Sequence, residues 1–270
     1  MATTHEKFRS FISVLPAILL IAGFGCTVTP IPAAPSPMHS ARQEPPGTDA
    51  SPDIRPEARQ RKTIRTVYLT FDADMTPAMK RRLEEKKVSF WYDQGLVDYL
   101  RKENVPATIF TTGMFAELYP VLVKDLAEDG RFSIQNHSYD HAGFESPCYG
   151  LNELSTDDQR RAEITKTQAI LKTLTGYAPT LFRFPGLCKN AHDDAIVTSL
   201  GLQVNDGNLV SGDAFSHDAA RIAMHVIDTA VDGSVVVMHL GGPNATATPR
   251  AVMLIVPALR AKGFVFEKLP

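Results

Sequence analysis

From Thr66 onward the chain alternates short β-branched or aromatic runs with longer helical stretches, and no other feature restricts the fold as much. The runs lie at 67–71, 107–112, 132–135, 180–184, 202–205, 234–238 and 264–268. Helical segments occupy 94–103, 121–129, 157–175, 193–200, 218–229 and 249–262. Asp157 and Asp158 suit a first helical turn, where backbone N–H groups attract negative charge, and Gly130, Gly176, Gly201 and Gly263 stand where helices stop. Strand-then-helix repetition predicts a parallel sheet covered by helices. The expected fold is therefore α/β, a distorted (β/α) barrel of about seven parallel strands, with a doubly wound open sheet as the alternative. In such a barrel the active site gathers at the C-terminal strand ends.

The polar residues follow that expectation. The first run ends in Asp72 and Asp74, the third in His137 and His141, and Arg183, Asp206, Asp213 and His239 all fall at or just after strand ends. Residues i and i+2 of a strand project to one face, so both carboxylates can reach one site. One carboxylate and two imidazoles form a three-ligand set suited to a hydrolytic zinc-type centre with an open position, and the second carboxylate is left over as a base. The combination points to metal-assisted hydrolysis. A metallopeptidase reading carries little weight, because the HExxH helix is missing. His192, His217 and His225 lie on helical or loop segments without partners in the pattern and are read as surface residues. Trp91 and Tyr92 precede a helix and are read as packing residues, with a sugar-stacking lip as the alternative.

Composition narrows the classes further. A chain of 270 residues, 44% hydrophobic, is ample for one core and too short for two large domains. A net charge of −2 with scattered Lys and Arg gives no nucleic-acid footprint, and the run at 80–87 mixes both signs, as a solvated helix or loop does. At the N-terminus Lys7 and Arg9 precede an apolar stretch at 11–25 whose length suits an export signal better than a membrane span. It ends at Gly25-Cys26, which resembles a lipobox whose cysteine is acylated. Ordinary cleavage near Ala33-Ala34 is the alternative. Residues 27–63 are rich in Pro, Ala and Ser and read as an unstructured tether. The expected organisation is a signal at 1–26, a linker at 27–63 and one catalytic domain at 64–270, in an exported monomer of the cell envelope, periplasm or exterior. It would touch a membrane only through a lipid on Cys26.

The motifs, taken in order, resemble those of the polysaccharide deacetylase family, the NodB-homology or carbohydrate esterase family 4 enzymes. Thr70-Phe71-Asp72-Ala73-Asp74 is similar to the first motif, although Ala73 stands where many relatives carry a second adjacent aspartate. His137-Ser138-Tyr139-Asp140-His141 fits the second, Arg183-Phe184-Pro185-Gly186 the third, Asp213-Ala214-Phe215 more weakly the fourth, and Val237-Met238-His239 the fifth. Leu240 follows that histidine where many relatives have Asp, and no functional reading attaches to the change. The resemblance covers Thr66 to the C-terminus.

The resemblance implies a metal-dependent removal of acetyl groups from an N-acetylated polysaccharide, peptidoglycan or a chitin-like N-acetylhexosamine polymer. Asp74, His137 and His141 would hold a divalent ion, zinc or else cobalt or nickel, with Asp72 as base and an exchange of the two aspartates left open. Arg183 would aim Asp72, and the Gly186 N–H would help stabilise the oxyanion. His239 would be the acid, partnered by Asp213 or, second, Asp206. The alternatives are an O-acetyl esterase on acetylxylan and a silent carbohydrate-binding lipoprotein. Cys148 and Cys188 flank two of these motifs, and in an exported chain they are expected to form a disulfide, two buried thiols being the alternative.

Overall fold

The computed structural model describes residues 64–270, so the signal, the tether and Cys26 lie outside the described residues. The element order is β1 (Arg65–Ala73), α1 (Pro77–Glu84), α2 (Gln94–Lys102), β2 (Ala107–Thr111), α3 (Gly113–Leu118), α4 (Pro120–Glu128), β3 (Phe132–Asn136) and α5 (Asp157–Thr175). It continues with β4 (Leu181–Phe182), α6 (Ala191–Ser199), β5 (Gln203–Val204), β6 (Leu209–Val210), α7 (Ala219–Thr229), β7 (Ser234–His239), α8 (Thr248–Ala261) and β8 (Phe264–Phe266). Local chemistry accounts for the helix ends. Thr156 and Gln159 form a capping box ahead of α5, Asp157 and Asp158 fill its first turn, and Gly176 closes it at φ 81°.

Seven strands follow one path, β5-β4-β3-β2-β1-β7-β6, and every pairing is parallel. The run expected at 264–268 is β8, which lies off that path and pairs with the first residues of β1, Arg65 to Val67. The seventh place belongs to β6, whose two residues are too few to show a period. The two edge strands, β5 and β6, are joined by residues 205–208 alone, which limits their separation to roughly 18 Å. The Arg183 side chain, just after β4, donates to the carbonyl of Asn205, the first residue of that connection, at 3.0 Å. The sheet therefore curls into a barrel left open at one seam. Among the described residues no helix is long and apolar enough to cross a membrane.

Alternation along β1 separates two cores. Val67, Leu69, Phe71 and Ala73 are buried against the helices, in a cluster with Leu96, Leu100, Val252, Ile255 and Leu259. The other face looks into the barrel, where Phe110 and Leu181 pack with Leu269, and Tyr68 and Val235 join them. Each fully buried side chain of this size contributes about 1.5–3 kcal/mol. Register then sets the top of the barrel: Asp72 lies beside Phe110 of β2 on one side and His239 of β7 on the other. The charged run at 80–87 begins in α1, which buries none of its residues, and Trp91 is a core residue. Helix α3 has too few residues to be read from periodicity. It sits tight against the next layer because residue 113 is Gly, where a Cβ would come within 2.7 Å of both Thr167 Oγ1 and Tyr139 Cδ2.

Candidate metal centre

β1 delivers Asp72 and Asp74 to the barrel mouth, 6% and 7% exposed. β3 ends at Asn136, and the loop after it turns back at once, with Ser138 and His141 at φ 65° and 62°. That turn is held from outside the barrel. The Asn136 side chain accepts from the Ser138 N–H at 2.9 Å and donates to Ile164 O and Gln168 Oε1 on α5. Glu163, also on α5, accepts the N–H groups of Tyr139 and Asp140 at 2.8 and 3.0 Å.

The turn brings His137 Nε2 and His141 Nε2 to 3.4 and 3.5 Å from Asp74 Oδ1. Ligand atoms of Asp74, His137 and His141 all lie within 4.8 Å of one another. The chemistry of the set fits a cation. His137 Nδ1 lies 2.9 Å from the Arg183 carbonyl oxygen, which only accepts, so Nδ1 carries the proton and the Nε2 lone pair of the neutral ring faces the carboxylates. Neither Asp74 Oδ1 nor His137 Nε2 has a hydrogen-bond partner among the described residues, although both are buried. Lone pairs converge there without a hydrogen to share. A divalent ion resolves that conflict, and an Asp-His-His set suits one.

The ionisation of these groups agrees. Burial pushes His141 down to about 4 despite the Asp74 charge, leaving the neutral imidazole that a ligand must be. Burial would raise the Asp74 pKa, but His141, His239 and His137 outweigh it and hold that carboxyl well below the usual range. Burial likewise disfavours a charged His137, yet the Asp72 and Asp74 carboxylates raise its pKa. A cation bound there would take the place of the proton that these carboxylates favour on His137 Nε2.

Asp72 stands apart from the ligand set by its partner. Its Oδ1 accepts from Arg183 Nη1 at 2.7 Å, while Oδ2 faces the site, 3.8 Å from His137 Nε2. Arg183 is fully buried, its guanidinium stacked 4.0 Å from the Phe110 ring centroid, so it holds one carboxylate oxygen in place. On the opposite wall, Asp213 accepts from the His239 backbone N–H at 2.8 Å and lies 2.9 Å from its Nδ1. The Thr248 hydroxyl donates to Asp213 at 2.6 Å. His239 Nε2 is then aimed inward, 3.5 Å from Asp74 Oδ2. Burial acts to lower the His239 pKa, but the Asp74 charge and the bond to Asp213 outweigh it and push it up to about 10. The bond and charge of His239, with Thr248, likewise outweigh burial and lower the Asp213 pKa.

Asp206, the second candidate for this partnership, is instead paired with Lys189 at 2.8 Å. It lies in the loop between β5 and β6, whereas Asp213 follows β6 next to β7. Gly186 occupies a single 3₁₀ turn (Pro185–Leu187) at φ 62°, where a Cβ would come 2.7 Å from Cys148 Sγ. Cys148 and Cys188 are disulfide-bonded, with Cα atoms 6.0 Å apart, tying the loop after β3 to the loop after β4. His192, His217 and His225 contact Asp157, Thr246 and the Val210 carbonyl and take no part in the site. Asn136, Glu163, Asn244 and Thr248 were not singled out from sequence. Asn136 had one signal, its place directly before the histidine motif. Thr248 reaches Asp213 and Asn244 reaches Asp74 (3.4 Å) only through the packing of the segment after β7.

Comparison with known proteins gives a consistent result. The family model described as polysaccharide deacetylase matches residues 59–205. A peptidoglycan-N-acetylglucosamine deacetylase of Bacillus cereus is 31% identical over 183 residues, 65% of this chain and 61% of its own length. The chain thus spans about three fifths of that relative. Among solved structures, the Bc1960 peptidoglycan N-acetylglucosamine deacetylase superposes with a TM-score of 0.65 at 28% identity, covering 77% of this chain and 87% of its own. A family 4 acetyl xylan esterase from Clostridium thermocellum, in complex with a cobalt ion, gives 0.59 at 26% identity, covering 76% and 88%.

Proposed function

The chain belongs to the polysaccharide deacetylase family, and we propose that it is a metal-dependent hydrolase removing acetyl groups from an N-acetylated envelope polysaccharide, peptidoglycan foremost. The observation that carries this reading is the convergence of buried, unpartnered Asp74 Oδ1 and His137 Nε2 with His141, flanked by the Asp72–Arg183 and His239–Asp213 pairs. Asp74, His137 and His141 would hold the divalent ion, which when bound supplies Lewis-acid polarisation and a water of lowered pKa. Zinc suits the donor set, and cobalt or nickel can serve.

The remaining steps fall to side chains. Asp72, fixed by Arg183 through one oxygen, takes the water proton on the other. The Gly186 N–H is the proposed additional donor to the developing oxyanion. His239, protonated and oriented by Asp213, gives its Nε2 proton to the departing nitrogen, which an amine needs in order to leave. Retention of both pairs supports an enzyme over a silent carbohydrate-binding protein, and the names of the relatives at 31% and 28% identity support an N-acetyl substrate over acetylxylan.

The proposed organisation is an export signal at 1–26, with Cys26 acylated or not, a tether at 27–63 and the deacetylase domain at 64–270, acting as a monomer in the envelope or outside. The test is acetate release from peptidoglycan, chitooligosaccharide and acetylxylan, with and without chelator. Release from the first two, abolished by chelator, is expected. Release from acetylxylan alone would transfer the reading to an esterase, and no release from any would sink it.

A further inference from the structure

The segment after β7 returns a side chain to the metal centre by a path that only glycine permits. Leu240 is stapled on both sides: its N–H donates to the Asp72 carbonyl, and its own carbonyl accepts from the Asp93 N–H, each at 2.9 Å. Gly241 and Gly242 come next at φ 84° and 86°, in the left-handed region that favours glycine. Space is as restrictive as conformation. A Cβ on Gly241 would come 2.6 Å from Asp93 Cβ, and one on Gly242 would come 2.8 Å from the Trp91 carbonyl carbon. The Ala245 N–H then closes a turn on the Gly242 carbonyl at 3.1 Å, with Ala245 1% exposed. Asn244 lies inside that turn, and its side chain reaches Asp74.

The Asn244 amide has one partner among the described residues: Nδ2 donates to Asp74 Oδ2 at 3.4 Å. A carboxylate only accepts, so the NH2 end must face it, and Oδ1 is left buried without a partner. Burying an acceptor unpaired costs stability, a cost that an alkyl side chain would avoid. The other end of the amide accounts for a polar residue here. Asp74 needs such a donor. His137 and His141 stand at its Oδ1, and His239 Nε2 lies 3.5 Å from its Oδ2. Among the described residues Asn244 is the only donor besides these imidazoles, whereas Asp72 has Arg183, and Asp213 has Thr248 and the His239 N–H.

Resting on the metal-dependent deacetylase reading above, we propose that Asn244 is a positioning residue for the ligand carboxylate, holding Asp74 Oδ2 so that Oδ1 alone stays aimed between His137 and His141 at the divalent ion. A carboxylate can meet a cation through one oxygen or both, and an outer partner that fixes one arrangement strengthens binding. The contact is long for a bond to a charged group, so it orients the carboxylate without adding much to the stability of the fold.

The experiment titrates zinc against a competing chromophoric chelator for wild-type protein, Asn244→Ala and Asn244→Leu, and follows thermal unfolding of each chain in excess chelator. Leucine is close to asparagine in volume but has neither donor nor acceptor. Zinc affinity should fall about 10–100-fold in both variants. Their metal-free unfolding temperatures should stay near wild type, because the lost contact is long and the unpaired oxygen goes with it. Cobalt-loaded protein gives a second reading, since its visible absorption follows the number and geometry of the ligands and should change in both variants. Zinc affinity within about twofold of wild type in either variant, an unchanged cobalt spectrum, or a fall in metal-free unfolding temperature that parallels the loss of affinity would each overturn the positioning role. The wild-type metal centre, and with it the deacetylase reading, would then stand. Wild-type protein that takes up no zinc or cobalt would remove both.

Discussion

At the residue scale, the two aspartates of the first motif have different partners, and the roles proposed for them differ accordingly. Asp72 shares an oxygen with Arg183, whereas Asp74 faces three imidazoles. Asp74→Asn is expected to lose bound metal, measured by elemental analysis of the purified chain. Asp72→Asn should keep metal and lose about 10²–10⁴ in kcat, the range for a missing general base. The opposite pattern would exchange the roles. A second expectation concerns pH. As the proposed general acid, His239 must be protonated to donate, and its raised pKa, about 10, keeps it so at neutral pH. As pH climbs through that pKa the donor is lost, which produces an alkaline limb in kcat. A bound cation would offset part of the Asp74 charge, so the limb of the metal-loaded chain should fall below about 10. Replacing Asp213 by Asn removes a negative partner, disfavours the imidazolium and must move the limb to lower pH. A pH–rate profile of the two proteins side by side checks it, and an unmoved limb would refute the partnership.

At the scale of elements, α5 and the disulfide hold the loops that β3 and β4 deliver. Glu163 on α5 supports two consecutive N–H groups inside the histidine motif, one of them that of Asp140, adjacent to His141. Glu163→Leu is therefore expected to weaken metal affinity by about 10–100-fold, while Glu163→Gln, which keeps an acceptor oxygen, should stay near wild type in a metal-competition titration. Equal loss in both would show that the charge, not the acceptor, matters. The Cys148–Cys188 bridge closes a loop of sequence separation 40. Chain entropy alone puts its contribution at about 4 kcal/mol. Denaturant unfolding of the wild type against Cys148→Ser/Cys188→Ser should show a midpoint shift of that sense, and alkylation of both cysteines in the unreduced protein would rule the bridge out.

At the scale of the whole molecule, lone pairs of Asp74, His137 and His141 converge at a buried point of the barrel mouth, a site that a cation would complete. Metal at about a hundredfold over its dissociation constant adds roughly 2.7 kcal/mol to the folded state. Chelation should therefore lower the unfolding temperature by about 5–10 °C as well as abolish acetate release, readable by thermal unfolding with and without chelator. An unchanged temperature would mean that no ion is held there. The sequence by itself determined the strand–helix alternation and the placing of Asp72, Asp74, His137, His141, Arg183, Asp213 and His239 at strand ends. Period, caps and motifs are local, and neighbours within a few residues settle them. It could not determine that β6 rather than β8 completes the path, because two residues carry no period and strand order is a matter of pairing between distant segments. Motif order ranked Asp213 ahead of Asp206 as partner of His239 but left Asp206 open. Both are carboxylates after short strands, and only the register of β6 on β7 sets one against the imidazole while Lys189 takes the other. The cradle of Asn136, Glu163 and Thr248 was hidden for the same reason: each reaches the site from an element whose distance in space is fixed by packing, not by distance along the chain.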